Sequence, residues 1–237
     1  MTLIIVKPTG GQLVISSSSI VTSGLVLNLD ATNPASYPGS GTTWTDISGS
    51  GNNATITNGS YDSANGGSIA FNGTTTGVYY TVIANSGDFT CEIWAKQTSA
   101  NYGSAMMFGG SNYFSGPDNC QLAVNGGDGS IVIALNNAGI SVSPANASSA
   151  TSVNNWCQVI WSRSGSTINI YANGVFKSSG TSNAQLRIDR LGNVGGQPGS
   201  LGKWLLGNIS SAKVYNRALS AAEVSQNFNA IRYRYGI

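Results

Sequence analysis

Apolar and polar side chains alternate along short segments of this chain, and turn-forming residues separate those segments. Leu25, Leu27 and Leu29 occupy every second position of segment 25–30. A period of two places successive side chains on opposite faces of a β-strand, so this segment is predicted to be a half-buried strand. Further strands are predicted at 68–71, 79–83, 89–96 (the candidate central strand), 105–108, 121–124 and 130–135.

The segment from Trp156 to Ser179 predicts a meander of three antiparallel strands. Residues 157–162 and 167–172 have strand character, and the chain turns between them. Asn173-Gly174 then predicts a two-residue turn, because these residue types tolerate positive φ at both central positions. Strands that recur about every 8–12 residues with turn signals between them predict an all-β sandwich.

One segment late in the chain has helical periodicity. After a predicted strand at 209–215, Ser220 precedes Glu223 by three residues, which is the spacing of a capping box. Gly236 then stands where a helix commonly ends. The apolar face of this short helix has the spacing i, i+4 and i+7 and consists of Val224, Phe228 and Ile231.

Residues 1–23 precede the regular pattern and are predicted to form an N-terminal arm, with the sandwich domain at 24–237. The serines at 16–19 predict a flexible joint. An arm with strand character can add to the exposed edge of its own sheet or of a neighbour's sheet. We expect it to anchor the protein in a homo-oligomer, with a trimer preferred, or on a capsid. The apolar interface residues are Leu3, Ile4, Ile5 and Val6.

Composition narrows the choice of partners. Only 8% of the 237 residues are charged and the net charge is +2, whereas charged residues make up about 25% of typical globular proteins. The basic residues are scattered, so no nucleic-acid partner is expected. No apolar run reaches the roughly 20 residues of a membrane span, and no signal peptide is recognised, so we expect no membrane partner and synthesis in a cytoplasm. Arg232 and Arg234 are interpreted as solvated side chains that complement the helix dipole.

Metal chemistry has few candidate ligands. The chain has no histidine, and its three cysteines lack CxxC spacing, which argues against zinc and against a disulfide framework. Calcium needs several oxygen ligands and stays open without assigned ligands, while no other cofactor is expected. Asp46 and Asp118 are interpreted as Asx-turn residues. The aspartates, which form no dense cluster, are Asp30, Asp46, Asp62, Asp88, Asp118, Asp128 and Asp189.

Catalytic carboxylates are also scarce. A glycosidase needs two carboxylates that flank the scissile bond. Glu92 lies on the predicted central strand without a second carboxylate, and it shares a face of that strand with Trp94. The other glutamate, Glu223, is explained by the capping box. The sequence therefore predicts a structural role for Glu92 and no catalytic residues.

A Gly-rich segment at 99–120 carries candidate residues for glycan binding. Sugars present an apolar face and a ring of hydroxyls, which aromatic rings and amides recognise together. The same aromatic residues are also expected if they cover an edge of the sandwich or fill an interface, and both interpretations stay open. The candidate residues are Tyr102, Asn112, Tyr113 and Phe114.

The order of several short motifs resembles the laminin G-like, concanavalin A-like jelly rolls over about residues 24–237. This resemblance implies an all-β sandwich of two antiparallel sheets with one short C-terminal helix. The matching motifs are Phe71–Gly73, Phe89–Trp94, the strand after Trp156, Ile170–Gly174, Gly207–Ile209 and Tyr215–Glu223.

Two of the segments carry a more specific resemblance. Tyr215–Glu223 looks most like the bacterial and phage branch of these jelly rolls. Segment Ile5–Thr9, followed by Gly24–Ala31, is similar to the start of structural proteins of tailed phages, notably cyanophages. The resemblance implies a non-enzymatic virion surface protein, either a capsid decoration or a head or tail fibre component, with capsid or tail proteins as partners. A glycan-binding lectin module for attachment to polysaccharide is the alternative. A glycosidase is the third possibility, against which the missing second carboxylate argues.

Overall fold

A computed structural model of the chain describes residues 19–98, 104–110, 120–125, 131–135, 141–142, 153–182, 185–193 and 204–237. Within these ranges the chain forms sixteen strands and one α-helix, α1 (Ala221–Ile231), with 3₁₀ turns at Ala64–Gly66 and Arg232–Tyr235. The strands are β1 (Leu25–Asp30), β2 (Thr43–Trp44), β3 (Ala54–Thr57), β4 (Ser60–Asp62), β5 (Ser68–Asn72), β6 (Gly77–Asn85), β7 (Phe89–Gln97), β8 (Ser104–Gly109), β9 (Cys120–Asn125), β10 (Ile131–Leu135), β11 (Ser141–Val142), β12 (Cys157–Ser164), β13 (Thr167–Ala172), β14 (Val175–Thr181), β15 (Leu186–Leu191) and β16 (Leu206–Tyr215).

The strands pair antiparallel in two sheets, as predicted. The first sheet has the order β14-β13-β12-β7-β16-β5-β4, and β1 also pairs with β16; the second has the order β11-β10-β9-β8-β15-β6-β3-β2. β7 lies between β12 and β16, which confirms the predicted central strand. The meander β12–β13–β14 is also confirmed, with φ of 50° at Asn173 and 74° at Gly174 in its second turn.

The core lies between the two sheets and takes side chains from strands of both. On β7, Phe89, Cys91 and Ile93 are buried among the residues of this core. Glu92 and Trp94 therefore belong to the other face of the first sheet. That outer face is also buried, because α1 and the 3₁₀ turn after it pack against it.

The C-terminal helix has the predicted cap and the predicted apolar face. The Ser220 hydroxyl accepts a hydrogen bond from the Glu223 amide (3.3 Å), and the Glu223 carboxylate accepts one from the Ser220 amide (2.9 Å). Phe228 stacks on Trp94 with ring centroids 5.8 Å apart, and Tyr235 stacks on the same indole at 4.6 Å. No helix in the described ranges has the length and the apolar character needed to cross a membrane.

Glu223 has a second partner besides the cap. Arg217 donates two hydrogen bonds to its carboxylate, at 2.6 and 3.0 Å. The hydrogen bond from Arg217 lowers the pKa of Glu223 to about 2, although partial burial opposes this effect. The carboxylate is therefore ionised at neutral pH and joins the loop before α1 to its first turn.

Arg234 corrects one interpretation from the sequence. Arg232 is exposed as interpreted, but Arg234 makes an ion pair with Asp30 of β1 (3.2 Å). The 3₁₀ turn after α1 carries its side chain back over the first sheet, so this guanidinium is not simply solvated. Burial raises the pKa of Asp30, yet the charges of Arg234 and Lys213 outweigh burial and leave that pKa below its usual value.

Residues 19–23, which we call the N-terminal strap, lie beside α1 on the outer face of the first sheet. The Val21 amide donates to the Asn227 side chain (2.7 Å), and the Tyr215 hydroxyl donates to the Val21 carbonyl (3.1 Å). The Gln226 side chain donates to the Ser19 carbonyl (2.8 Å). The division at residue 23 stays a prediction. The predicted interface residues Leu3, Ile4, Ile5 and Val6 lie outside the described residues.

Candidate functional site

Glu92 lies in a buried polar network under α1. Its carboxylate accepts hydrogen bonds from Asn227 (2.6 Å) and Gln158 (3.1 Å), and the Lys213 ammonium is 3.7 Å away. Glu92 is 0% exposed and Lys213 is 1% exposed at the side chain. Burial and the charge of Glu92 raise the pKa of the Tyr215 phenol, which accepts a hydrogen bond from Asn227. The Glu92 carboxylate is therefore shielded from solvent and hydrogen-bonded within the described part of the chain.

The aspartates of the loops are hydrogen-bonded to nearby backbone. Asp46 accepts from the amides of Asn28, Ser48 and Asn52 at 2.8–2.9 Å, and its bond to Ser48 confirms the Asx-turn interpretation. Among the described residues, no group of three or more His, Cys, Asp or Glu side chains could hold a metal ion. Asp118 and Asp128 lie outside those residues, so a calcium site stays untested.

A cleft of about 480 Å³ opens at the rim between the two sheets. This volume falls in the range of small-molecule pockets, about 300–1,000 Å³. However, two side-chain amides that line it already donate hydrogen bonds to the backbone. Asn52 donates to the Val26 carbonyl (2.8 Å), and Asn85 donates to the Asp88 carbonyl (2.7 Å). The cleft therefore offers a ligand fewer hydrogen-bonding groups than its lining residues indicate.

A second candidate site lies on the outer face of the second sheet, where β6 pairs with β15. Tyr79 stands opposite Arg190, and the strand register shifts between Ile188 and Arg190. Ile188 and Leu191 are fully buried in the core. The shift leaves Asp189 and Arg190 together on the outer face, where register shifts of this kind often present side chains for binding.

The side chains at this place are held by one another. Arg190 donates two hydrogen bonds to the Asp189 carboxylate (2.6 and 3.2 Å), and its guanidinium lies 5.3 Å from the centroid of the Tyr79 ring. Asn193 donates to the Tyr79 hydroxyl (3.3 Å). Gly77 lies beneath, and a Cβ at that position would collide with both Asn193 and Tyr79. We call Tyr79, Asp189, Arg190 and Asn193 the exposed-face cluster, after the sheet face on which they lie; Asn193 itself is buried and supports Tyr79.

The exposed-face cluster keeps hydrogen-bonding capacity for a ligand. Arg190 uses Nε and one Nη on Asp189, and its other Nη has no hydrogen-bond partner in the described part of the chain. A carboxylate has about four acceptor sites, of which Arg190 occupies two. The Asp189 and Arg190 side chains are 14% and 15% exposed. A fixed planar donor, an acceptor and an aromatic ring are the groups that bind sugar hydroxyls and the apolar sugar face.

The sequence did not identify this cluster as a site. Tyr79 lies in the strand predicted at 79–83, and the alternation of Leu186 and Ile188 with polar residues is a strand signal for β15. β8 pairs with β15 through Gly109 and Arg190. Segment 111–119 thus follows a strand that borders the cluster. The predicted glycan-binding residues Tyr102, Asn112, Tyr113 and Phe114 lie outside the described residues.

Comparison with known families gives one match. The family Laminin_G_3, described as the concanavalin A-like lectin/glucanases superfamily, matches residues 72–225. This range includes β15 and most of the sandwich. No curated protein sequence matches the chain.

Several solved structures share the fold at low sequence identity. A mutant of Trypanosoma rangeli sialidase displaying trans-sialidase activity has a TM-score of 0.65 at 16% identity, with 92% of this chain and 35% of that chain covered. The chain thus spans about a third of that sialidase. Domain 4 of AbnA, a GH43 extracellular arabinanase from Geobacillus stearothermophilus in complex with arabinotriose, has a TM-score of 0.65 at 18% identity, covering 86% of this chain and 98% of that one. The botulinum neurotoxin type G receptor-binding domain has a TM-score of 0.58 at 16% identity, covering 87% and 51%.

Proposed function

The chain belongs to the concanavalin A-like lectin/glucanases superfamily, and from this premise we propose that it is a non-catalytic adhesion domain of a tailed-phage virion surface that binds polysaccharide. The observation that supports glycan binding most directly is the exposed-face cluster. It combines an ion pair and an aromatic ring, which a buried amide supports, on a sheet face that α1 does not cover. Fold alone does not fix function, so the proposal depends on these side chains.

The contacts of the two glutamates support the proposed lack of catalysis. Glu92 is buried beneath α1, where Asn227 and Gln158 bind its carboxylate. Glu223 caps α1 and pairs with Arg217. A glycosidase needs one carboxyl group as acid and a second as base or nucleophile, both in contact with substrate. In this arrangement neither glutamate is available for such a role.

Glycan binding would use the cluster without any change in its internal contacts. The Arg190 Nη that has no hydrogen-bond partner among the described residues would donate to a sugar hydroxyl, and the Asp189 carboxylate would accept from another. Asn193 and Gly77 hold Tyr79 in position, so its side chain loses little conformational entropy when a ligand binds. The complex of the arabinanase domain with arabinotriose makes arabino-oligosaccharides a suitable first probe.

Replacing Arg190 or Tyr79 by alanine is expected to weaken glycan binding about tenfold or more. A hydrogen bond to a charged group contributes about 1.5–3 kcal/mol, and about 1.4 kcal/mol corresponds to a tenfold change in affinity. A glycan array that includes arabino-oligosaccharides would identify a ligand, and calorimetry would compare the variants. Matched controls are Arg232→Ala and Tyr233→Ala, which alter exposed residues beside α1. The glycan proposal would be refuted by an array without binding at high protein concentration, or by equal affinities of all four variants.

The virion location is supported by the resemblance of Ile5–Thr9, Gly24–Ala31 and Tyr215–Glu223 to structural proteins of tailed phages. Electron microscopy of purified particles labelled with an antibody against this chain is expected to place it on the particle surface. Icosahedral copy number would indicate capsid decoration, whereas a few copies at the tail would indicate a fibre. Particles that lack the chain altogether would contradict this part of the proposal.

A further inference from the structure

β14 forms one end of the first sheet and exposes apolar side chains there. Among the described strands it pairs with β13 alone. Val175 is 57% exposed and Phe176 is 51% exposed, although both are strand residues. A strand at the end of a sheet also presents a row of backbone donors and acceptors that another chain can pair with.

The protection that usually blocks such an edge is limited on β14. Its register against β13 shifts between Phe176 and Ser178, and Lys177 at this shift provides the only charge on the strand. Edge strands are commonly protected by several charges, prolines or bulges, and Val175 and Phe176 lie before the shift. Phe176 contacts the Tyr171 ring at 5.7 Å between centroids, which fixes its position while half of its surface stays exposed. The apolar end of β14 therefore has a defined shape suited to another apolar strand.

The chain itself contains a strand-forming apolar segment of matching character. The N-terminal strap ends at Ser19 beside Gln226 of α1, and residues 1–18 precede it. Leu3–Val6 are four consecutive apolar residues with high strand propensity. Residues 7–18 would reach at most about 40 Å, because an extended chain spans about 3.3–3.6 Å per residue. This length suffices to reach beyond the molecule to which the arm belongs.

The position of α1 favours the edge of a neighbour over the arm's own edge. Gln226 of α1 contacts the strap, and Phe228 of the same helix lies against Gly174, the residue before β14. An arm that returned to its own β14 would have to cross this helix. The outward-facing side of α1 presents small and polar residues such as Ala222 and Asn229, which give an apolar segment little to pack against.

We propose that residues 3–6 of one copy add as a strand to the β14 edge of a neighbouring copy. The backbone groups of the arm would pair with those of β14, while its apolar side chains cover Val175 and Phe176. Such a contact joins two different surfaces, so it is heterologous and closes into a ring when the rotation permits, as in a trimer. The inference is independent of glycan binding, since the exposed-face cluster lies on the other sheet.

The test compares the full chain with variants of each side of the contact, Phe176→Lys and the double variant Leu3→Ser with Ile5→Ser. Light scattering is expected to show an oligomer for the parent and a monomer for both variants. Hydrogen exchange is expected to show β14 amides that exchange about tenfold or more faster in the variants, because an unpaired edge opens readily. Tyr233→Lys is the matched control, since Tyr233 is 59% exposed beside α1, and it is expected to behave like the parent.

Three results would overturn the proposal. A monomeric parent whose β14 amides are protected would mean that the arm pairs with its own sheet. A parent whose β14 amides exchange freely would mean that this edge is unoccupied. An oligomer that persists in both variants would mean that assembly uses another surface. Glycan affinity measured on the same samples separates the two proposals, because a monomeric variant that still binds sugar agrees with both, whereas a monomeric parent that binds sugar overturns only the assembly.

Discussion

Replacing Lys213 by methionine is expected to lower the free energy of unfolding by about 3–5 kcal/mol, the usual cost of removing one partner from a buried ion pair. The Lys213 ammonium lies 3.7 Å from the Glu92 carboxylate, and neither side chain is more than 1% exposed. Methionine keeps most of the volume of lysine, so the loss comes from the negative charge left beneath α1. Urea denaturation would show a lower midpoint with an unchanged slope.

The double variant Glu92→Gln with Lys213→Met is the matched control. It removes both charges, and the single side-chain oxygen of glutamine can keep one of the two hydrogen bonds, since Asn227 and Gln158 donate to different oxygens of Glu92. We expect it to recover part of the lost stability, because exchanging a whole buried pair for neutral groups is often neutral. A loss of less than about 1 kcal/mol in Lys213→Met alone would contradict a stabilising ion pair between Lys213 and Glu92, since breaking a buried ion pair costs several times that amount.

Replacing Gly207 by alanine is expected to lower the free energy of unfolding by about 2–6 kcal/mol, from backbone strain together with overpacking. Gly207 has φ of 153°, a conformation that residues with a Cβ rarely adopt. It pairs with Gln97 of the neighbouring antiparallel strand β7, and a Cβ would collide with the carbonyl oxygen of Lys96. The backbone of a central strand cannot move away without breaking its pairing. Thermal denaturation followed by circular dichroism would measure the loss.

Gly49→Ala separates strain from collision. Gly49 has φ of 93°, but a Cβ there would meet nothing within 4 Å. Strain alone predicts a loss of about 1–3 kcal/mol, so Gly207→Ala should lose clearly more. Equal losses would mean that β16 moves away from β7 and that the collision does not contribute.

The parts of the fold that could be predicted are those whose signals are local. Asn173-Gly174 specifies a turn through its own φ preferences, and Ser220 with Glu223 specifies a helix start within four residues. A structural role for Glu92 was also predictable, from the lack of a second carboxylate on its strand. Its partners were not, because Asn227 lies 135 positions away and is brought to β7 by tertiary packing.

The candidate site was less predictable for the same reason. The aromatic and amide composition of segment 99–120 predicts glycan binding there. The described cluster instead comes from two strands with ordinary alternating patterns. Asp189 and Arg190 share a face because the register of β15 shifts against β6. Such a shift depends on both strands and their turns, and no single segment encodes it. The need for a glycine at position 77 likewise becomes evident only from the positions of Tyr79 and Asn193, with which a Cβ there would collide.

The placement of the N-terminal strap and α1 on one sheet has a consequence for binding strength. Both cover the first sheet, so a molecule held by its arm would present the second sheet, with Tyr79 and Arg190, toward the surroundings. Copies displayed side by side in this orientation would engage a repeating polymer together. Linked weak sites gain about 10²–10⁴ in avidity without any new contact. A shallow site of modest affinity is then sufficient for firm attachment, provided that the copies all point the same way.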